Sequence, residues 1–232
     1  DAGRDFALKQ VQGQLPSGAS LQWRQVSGHL DGRLSFERLV YADASQRYEA
    51  DSIDFDLALF PLVFRKLRFG AVDAKRVYLD LPRDDEPFEF PRWPESLPAL
   101  DLPFSLEIGK LQISDLQIAQ NRQLVYSLKQ LSGGFSLKPG LLSIPALHAV
   151  STDGTLTLNG FYQPNHRYQT KLQGVAAMKP RSGGLEQSLQ FNAEGDDKRF
   201  IISIDGDMPD PVHLQWQLSS RNQKPFWNLE AK

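Results

Sequence analysis

The sequence predicts a mostly β-stranded protein, laid out as an antiparallel meander with one short helix at its start. Apolar residues alternate with polar ones through most of the chain, which is the period of a strand with one wet face rather than that of a helix. Turns rich in glycine and aspartate separate many of the alternating runs, and short connections make antiparallel neighbours. Helix signals are sparse outside residues 1–13.

Taken in order, Asp1 can cap a short amphipathic helix over 1–13, Phe6 and Val11 give it a thin apolar stripe, and Gly13 stops it. Strand patterns follow. Ile53, Phe55, Leu57 and Leu59 alternate with Asp54, Asp56 and Ala58, and Phe104, Leu106 and Ile108 alternate with Ser105 and Glu107. The same period returns at Leu156 and Leu158, at Leu189, Phe191 and Ala193, at Phe200, Ile202 and Ile204, and at Val212, Leu214, Trp216 and Leu218. Expected turns are Gly133-Gly134, Asp153-Gly154, Gly183-Gly184, Glu194-Gly195-Asp196-Asp197 and Asp205-Gly206-Asp207.

One stretch repeats. Phe69-Gly70-x-Val72-x-Ala74-x-x-Val77-x-Leu79 superposes on Ile108-Gly109-x-Leu111-x-Ile113-x-x-Leu116-x-Ile118 at an offset of 39 residues. In both copies the apolar parity switches twice, after the first residue and before the last pair. A strand accommodates such a switch with a bulge or a short break.

Between the two copies the β pattern stops. Pro82, Pro87, Pro91, Pro94, Pro98 and Pro103 remove backbone donors that a sheet needs, so 83–103 reads as a Pro-rich crossover loop. Phe88, Phe90 and Trp93 beside Asp84-Asp85-Glu86 leave two readings: a loop packed by its own aromatics, or a lid or docking segment.

Composition bounds the function. A chain of 232 residues with 41% hydrophobic and 23% charged residues can fold around a sizeable core, as one long domain or two. A formal net charge of -2, with scattered Lys and Arg, gives no electrostatic reason to expect nucleic acid as a partner. Without cysteine there is no disulfide framework, thiolate nucleophile or thiolate metal site. No apolar run reaches the ~18 residues of a membrane helix.

Chemistry-bearing motifs are missing. His29, His148, His166 and His213 are isolated from one another and form no metal-ligand pair. Asp205-x-Asp207-x-x-Asp210 lacks calcium-loop spacing and reads as a turn. No nucleophile elbow, phosphate-cradling loop or dinucleotide fingerprint occurs, so the expectation is a non-enzyme without metal or cofactor.

The stretch Leu21-x-Trp23-x-x-Val26-Ser27-Gly28-x-x-x-Gly32-x-Leu34-x-Phe36-x-x-Leu39-x-Tyr41 resembles the first strands of TamB-like proteins of the AsmA-like superfamily. The succeeding order is similar to that family too: the strand at Ile53 to Leu59, a turn at Leu62 to Phe64, Leu67 to Phe69, Val77 to Pro82, the acidic Pro-rich insert, and the Ile108 to Ile118 unit. The similarity covers about residues 1–160 and consists of spaced apolar residues and glycines.

The resemblance implies a bridge-like lipid transfer protein of the Gram-negative envelope: an inner-membrane anchor through an N-terminal transmembrane helix outside this sequence, then a periplasmic sheet curled into an open, elongated apolar groove, a β-taco. Residues 1–232 would be a single β-groove region of a longer protein, close to the inner membrane, with phospholipid as cargo. A competing role for such proteins is a scaffold acting with the outer-membrane barrel protein TamA, through a missing C-terminal region, in outer-membrane protein assembly.

The alternation itself describes a β-sandwich or barrel with a filled core equally well. Burying a methylene is worth about 0.8 kcal/mol, so a 16-carbon chain needs ~12 kcal/mol of continuous apolar contact to leave a membrane without a large penalty. Under the groove reading the lining residues are Phe55, Leu57, Leu67, Phe69, Leu106, Ile108, Leu111, Ile113, Leu156, Leu158, Ile202, Ile204, Leu214 and Trp216. Each would be core under the other reading.

Overall fold

The computed structural model describes residues 2–13, 15–29, 32–58, 66–82, 100, 105–180, 187–206, 211–221 and 224–231, with backbone alone for 220–221 and 224–227. The expected turns at Leu62 to Phe64 and Gly183-Gly184 lie outside these residues. So does the expected crossover at 83–103, apart from Leu100.

Helix α1 (Ala2–Gly13) leads into thirteen strands. They are β1 (Ser20–Gly28), β2 (Arg33–Ala42), β3 (Arg47–Ala58), β4 (Lys66–Leu81), β5 (Ser105–Gln120), β6 (Gln123–Lys138), β7 (Leu141–Val150), β8 (Gly154–Gln163), β9 (Gln169–Met178), β10 (Gln187–Gly195), β11 (Arg199–Gly206), β12 (Val212–Arg221) and β13 (Lys224–Ala231). Strand order follows chain order in one open sheet that begins at β1 and ends at β13, so the strands are not closed into a barrel. The chain divides into two compact units: Asp1–Glu86 with Glu107–Gly133, and Pro87–Leu106 with Gly134–Lys232.

In the first unit β1, β2, β3 and β4 pair as antiparallel neighbours. No residue of α1 is buried, yet the helix is tied to β1. Arg4 Nη1 donates to the Gly28 carbonyl at 3.3 Å and Gln12 Nε2 to the Leu21 carbonyl at 2.7 Å. The β2–β3 turn is organised by Asp43, whose carboxylate accepts from the Ser45 and Gln46 backbone N–H groups at 2.8 and 3.0 Å.

The step from β4 to β5 is parallel. Arg68 pairs with Glu107 at 3.5 Å, the Gly70 carbonyl lies beside Gly109, and the Asn121 N–H donates to the Leu81 carbonyl at 3.4 Å, so both strands advance together. Parallel neighbours need a long crossover, which accounts for the Pro-rich interruption in the sequence. The 39-residue offset of the repeat is also the register of this pair: the two copies lie side by side, residue against equivalent residue.

The two parity switches have different causes. At the first, Asp56 of β3 faces both Gly70 and Ala71, a bulge between the Phe55–Val72 and Leu57–Phe69 pairs. At the second the β1–β2 and β2–β3 registers continue without a shift, while Gln25 and Ser52 take left-handed φ values of 42° and 49°. Asp115 on β5 does the same at 60°. Two consecutive exposed residues mark this line on four strands (24–25, 37–38, 75–76 and 114–115), so the apolar residues before and after it return to one face.

Strand β6 follows β5 through the two-residue turn Asn121-Arg122, both at positive φ, as the hairpin twist demands. The buried carboxylate of Asp80 accepts from the Arg122 N–H at 2.9 Å and supports this turn. Gly133-Gly134, expected as a turn, lies inside β6; Gly133 continues the strand at φ 142°, a conformation most side chains avoid.

In the second unit successive strands from β7 to β13 pair as antiparallel neighbours. A register shift between Ile144 and Leu147 accommodates Pro145 in β7. Among the described residues Ala193, Phe200 and Leu218 form a buried cluster, with Leu172, Phe191, Ile202 and Trp216 packed around it.

Candidate functional site

The strand registers place the apolar residues in transverse rows. In the second unit one row runs Ala149, Leu156, Ala176, Leu189, Gly206, Val212. The next runs Leu147, Leu158, Gly174, Phe191, Ile204, Leu214, Ala231, and a third Gly160, Leu172, Ala193, Ile202, Trp216, Leu229. None of these positions carries a charge. Six sequence-predicted lining residues, Leu156, Leu158, Ile202, Ile204, Leu214 and Trp216, are brought together on this face.

On the other face Asn159, Gln173, Asn192, Ser203, Gln215 and Glu230 form a polar row. Large and small residues mix on the apolar face, Gly174 opposite Leu158 and Phe191, Ala176 opposite Leu156 and Leu189. Most of this face is half-buried, and Leu156 is 42% exposed.

The first unit repeats the arrangement. Val26, Phe36, Ile53 and Ala74 form one row, Gly28, Leu34, Phe55 and Val72 the next. Beyond the left-handed line come Trp23, Leu39, Ala50 and Val77, then Leu21, Tyr41, Tyr48 and Leu79. Phe55 stacks on Phe36 at 5.6 Å between ring centroids and meets Phe69 edge-on at the same distance, so these rings form one aromatic run. The predicted residues Phe55, Leu57 and Phe69 join it through the bulged pairing, and Leu67 alternates with Phe69 along β4. On β5 Leu106 and Ile108 share a face, while Leu111 and Ile113 take the places of Val72 and Ala74 in the second repeat copy. Leu111 is buried and the other predicted residues of β5 are half-buried.

The opposite face of the first unit is a lattice of ion pairs. Arg38 reaches Glu49 and, at 3.7 Å, Asp51; Arg76 reaches Asp51 at 3.3 Å; Arg33 holds Asp54 at 2.8 Å. The hydroxyl of Ser35 and the Arg33 guanidinium keep the Asp54 carboxyl below its ordinary range despite some burial. A cleft of about 400 Å³ opens here, lined by Arg33, Asp54, Asp56, Asp73 and Lys110 among others. Its charges of both signs make it a poor host for an acyl chain, since burying a charge without full pairing is costly.

Among the described residues no cluster of His, Asp and Glu is arranged to hold a metal. No described helix is long and apolar enough to cross a membrane. Sequence reasoning found the alternating strands but missed the aromatic run through Phe36 and the contribution of β9, whose Leu172, Gly174 and Ala176 each join one of the three rows. Glycine and alanine carry too little hydrophobic signal to show that β9 belongs to the same face. Comparison of the chain with protein-family models, with curated proteins and with solved structures finds no match.

Proposed function

We propose that this chain is a non-enzymatic lipid carrier that takes phospholipid acyl chains onto its uncharged apolar face, as the inner-membrane-proximal part of a TamB-like conduit between inner and outer membranes. The observation that carries this reading is the set of charge-free rows running from β7 to β13. A fully core-forming face would bury its large side chains; here Leu156 and Leu229 stay exposed. At ~4.8 Å per strand, seven strands offer an apolar strip roughly 30 Å across. That strip gives successive methylenes, each worth about 0.8 kcal/mol, equivalent contacts from one strand to the next.

The test is to purify the chain from cells, extract it with organic solvent and identify phospholipid by mass spectrometry. Stoichiometric phospholipid is expected, lost in Ile202→Asp and Leu111→Asp variants whose circular dichroism shows them folded. A folded chain that emerges empty and resists loading refutes the carrier reading. It would favour the assembly scaffold, in which strand edges pair with a β-rich partner.

A further inference from the structure

We propose that the charged cleft of the first unit binds a small zwitterion in which a primary ammonium is joined to an acidic group. The cleft measures about 400 Å³ and lies at the bulge between β3 and β4, on the face away from the apolar rows. Two rows of side chains cross it by register: Ser35, Asp54 and Asp73, and beside them Arg33, Asp56 and Ala71. The parallel step to β5 extends these rows with Gln112 and Lys110.

The charges here do not cancel one another within the protein. Arg33 is committed to Asp54 at 2.8 Å, while Asp54 and Asp73 are direct cross-strand partners, a juxtaposition of like charges that costs stability. Lys75 acts on Asp54 through its charge at a distance. Among the described residues Asp56, Asp73 and Lys110 enter no ion pair, and all three are exposed. Ala71 lies between Asp56 and Lys110 and holds them two strand spacings apart, roughly 10 Å, so neither neutralises the other directly. A cation beside Asp56 and Asp73, tethered to an anion beside Lys110 and the Gln112 amide, answers both.

The backbone is shaped around Asp56. The bulge sets this residue against both Gly70 and Ala71, and its carboxylate lies over Gly70, where a Cβ would meet Oδ2 at 2.9 Å. Gly70 thus keeps open the place that the carboxylate occupies. An ammonium suits the cleft better than a metal ion, since the described carboxylates form no cluster arranged to hold one. A primary ammonium suits it better than a quaternary one, because its N–H groups make charge-assisted hydrogen bonds to carboxylates.

This site does not rest on the acyl-chain reading, since the cleft and the apolar rows lie on opposite faces. The full 232-residue chain is titrated with glycerophosphoethanolamine and with β-alanine, which share a primary ammonium and an acid, and amide chemical shifts report where each binds. Saturable shifts centred on Gly70, Ala71 and Lys110 are expected with at least one of them. Glycerophosphocholine should bind about tenfold more weakly, and glycerophosphate, which lacks the ammonium, should not bind. Asp56→Asn and Lys110→Gln should each weaken binding about tenfold. Gly70→Ala should weaken it too, by pushing the Asp56 carboxylate aside, while melting as the parent does. Glu37→Gln, outside the cleft, should leave binding unchanged. No saturable binding of either probe, glycerophosphate binding as tightly as glycerophosphoethanolamine, or full binding in Asp56→Asn overturns the proposal. Flotation on phosphatidylcholine vesicles with and without phosphatidylethanolamine then identifies the source: recruitment by the ethanolamine lipid assigns a headgroup, and binding of the soluble probes without recruitment assigns a free solute. An Ile202→Asp background should bind the probes unchanged even if acyl cargo is lost, which separates this site from lipid carriage.

Discussion

Gly109 of β5 lies against Gly70 of β4: a Cβ placed on Gly109 would come 3.0 Å from the Gly70 carbonyl oxygen. These are equivalent residues of the two repeat copies, so the bare backbone of one copy is what lets the other approach. The converse substitution meets something softer, the Asp56 carboxylate at 2.9 Å.

Gly109→Ala should therefore destabilise the chain by about 1–2 kcal/mol, because a backbone carbonyl in a sheet cannot yield cheaply. Gly70→Ala should lie within roughly 0.5 kcal/mol of the parent, since the Asp56 side chain can rotate away and alanine lowers the entropy of the unfolded chain. Urea unfolding of the two variants checks the order; equal losses would contradict it.

The left-handed line across the first unit makes a second prediction. Gln25 and Ser52 adopt φ values that disfavour side chains, so Gln25→Gly and Ser52→Gly should each raise stability by roughly 0.5–1 kcal/mol. Asp115→Gly should gain less, because aspartate tolerates this region better. Ser52→Val should lose stability, since β-branching worsens the strain. Thermal melts of the four variants decide the matter.

In the second unit burial separates two leucines on the neighbouring strands β12 and β13. Leu218 is 5% exposed and packs with Ala193 and Phe200, whereas Leu229 is 69% exposed. Leu218→Ala should cost about 2–4 kcal/mol and Leu229→Ala less than ~1 kcal/mol, measured by equilibrium unfolding.

Acid should act through Asp43. The backbone N–H of Ser45 holds its carboxyl far below the usual range, aided by the Gln46 side chain and the Tyr41 hydroxyl and opposed by slight desolvation. A carboxylate whose folded pKa is depressed contributes stability that is complete above its unfolded value and is lost as pH falls toward the folded one. The difference in melting temperature between the parent and Asp43→Asn should accordingly be full near neutrality and shrink below about pH 4. A difference independent of pH would show that the turn depends on shape alone.

How much of this was legible in the sequence depended on the residue type. The alternation at Ile202, Ile204, Leu214 and Trp216 foretold both the strands and their common face, because large apolar residues at period 2 leave little choice. The helix at 1–13 was legible from its Gly13 stop and appears as Ala2–Gly13. The repeat was visible as a pattern, but that its copies lie side by side in parallel was not, since the offset alone does not say whether equivalent strands touch. The Asn121-Arg122 turn was hidden because arginine is an unusual occupant of a left-handed position. Gly133-Gly134 misled for the opposite reason: glycine permits a turn without requiring one, and here the strand runs through it. The small residues of β9 were silent about the face they complete.

Helix α1 has a consequence for how this sheet can grow. A strand with a single sheet neighbour, such as β1, ordinarily offers its carbonyls to any passing extended chain. Arg4 and Gln12 already occupy those of Gly28 and Leu21, so the helix works as a chain terminator does in polymer synthesis, capping one direction of addition. An extended chain pairing with β1 through those carbonyls would first have to displace the helix.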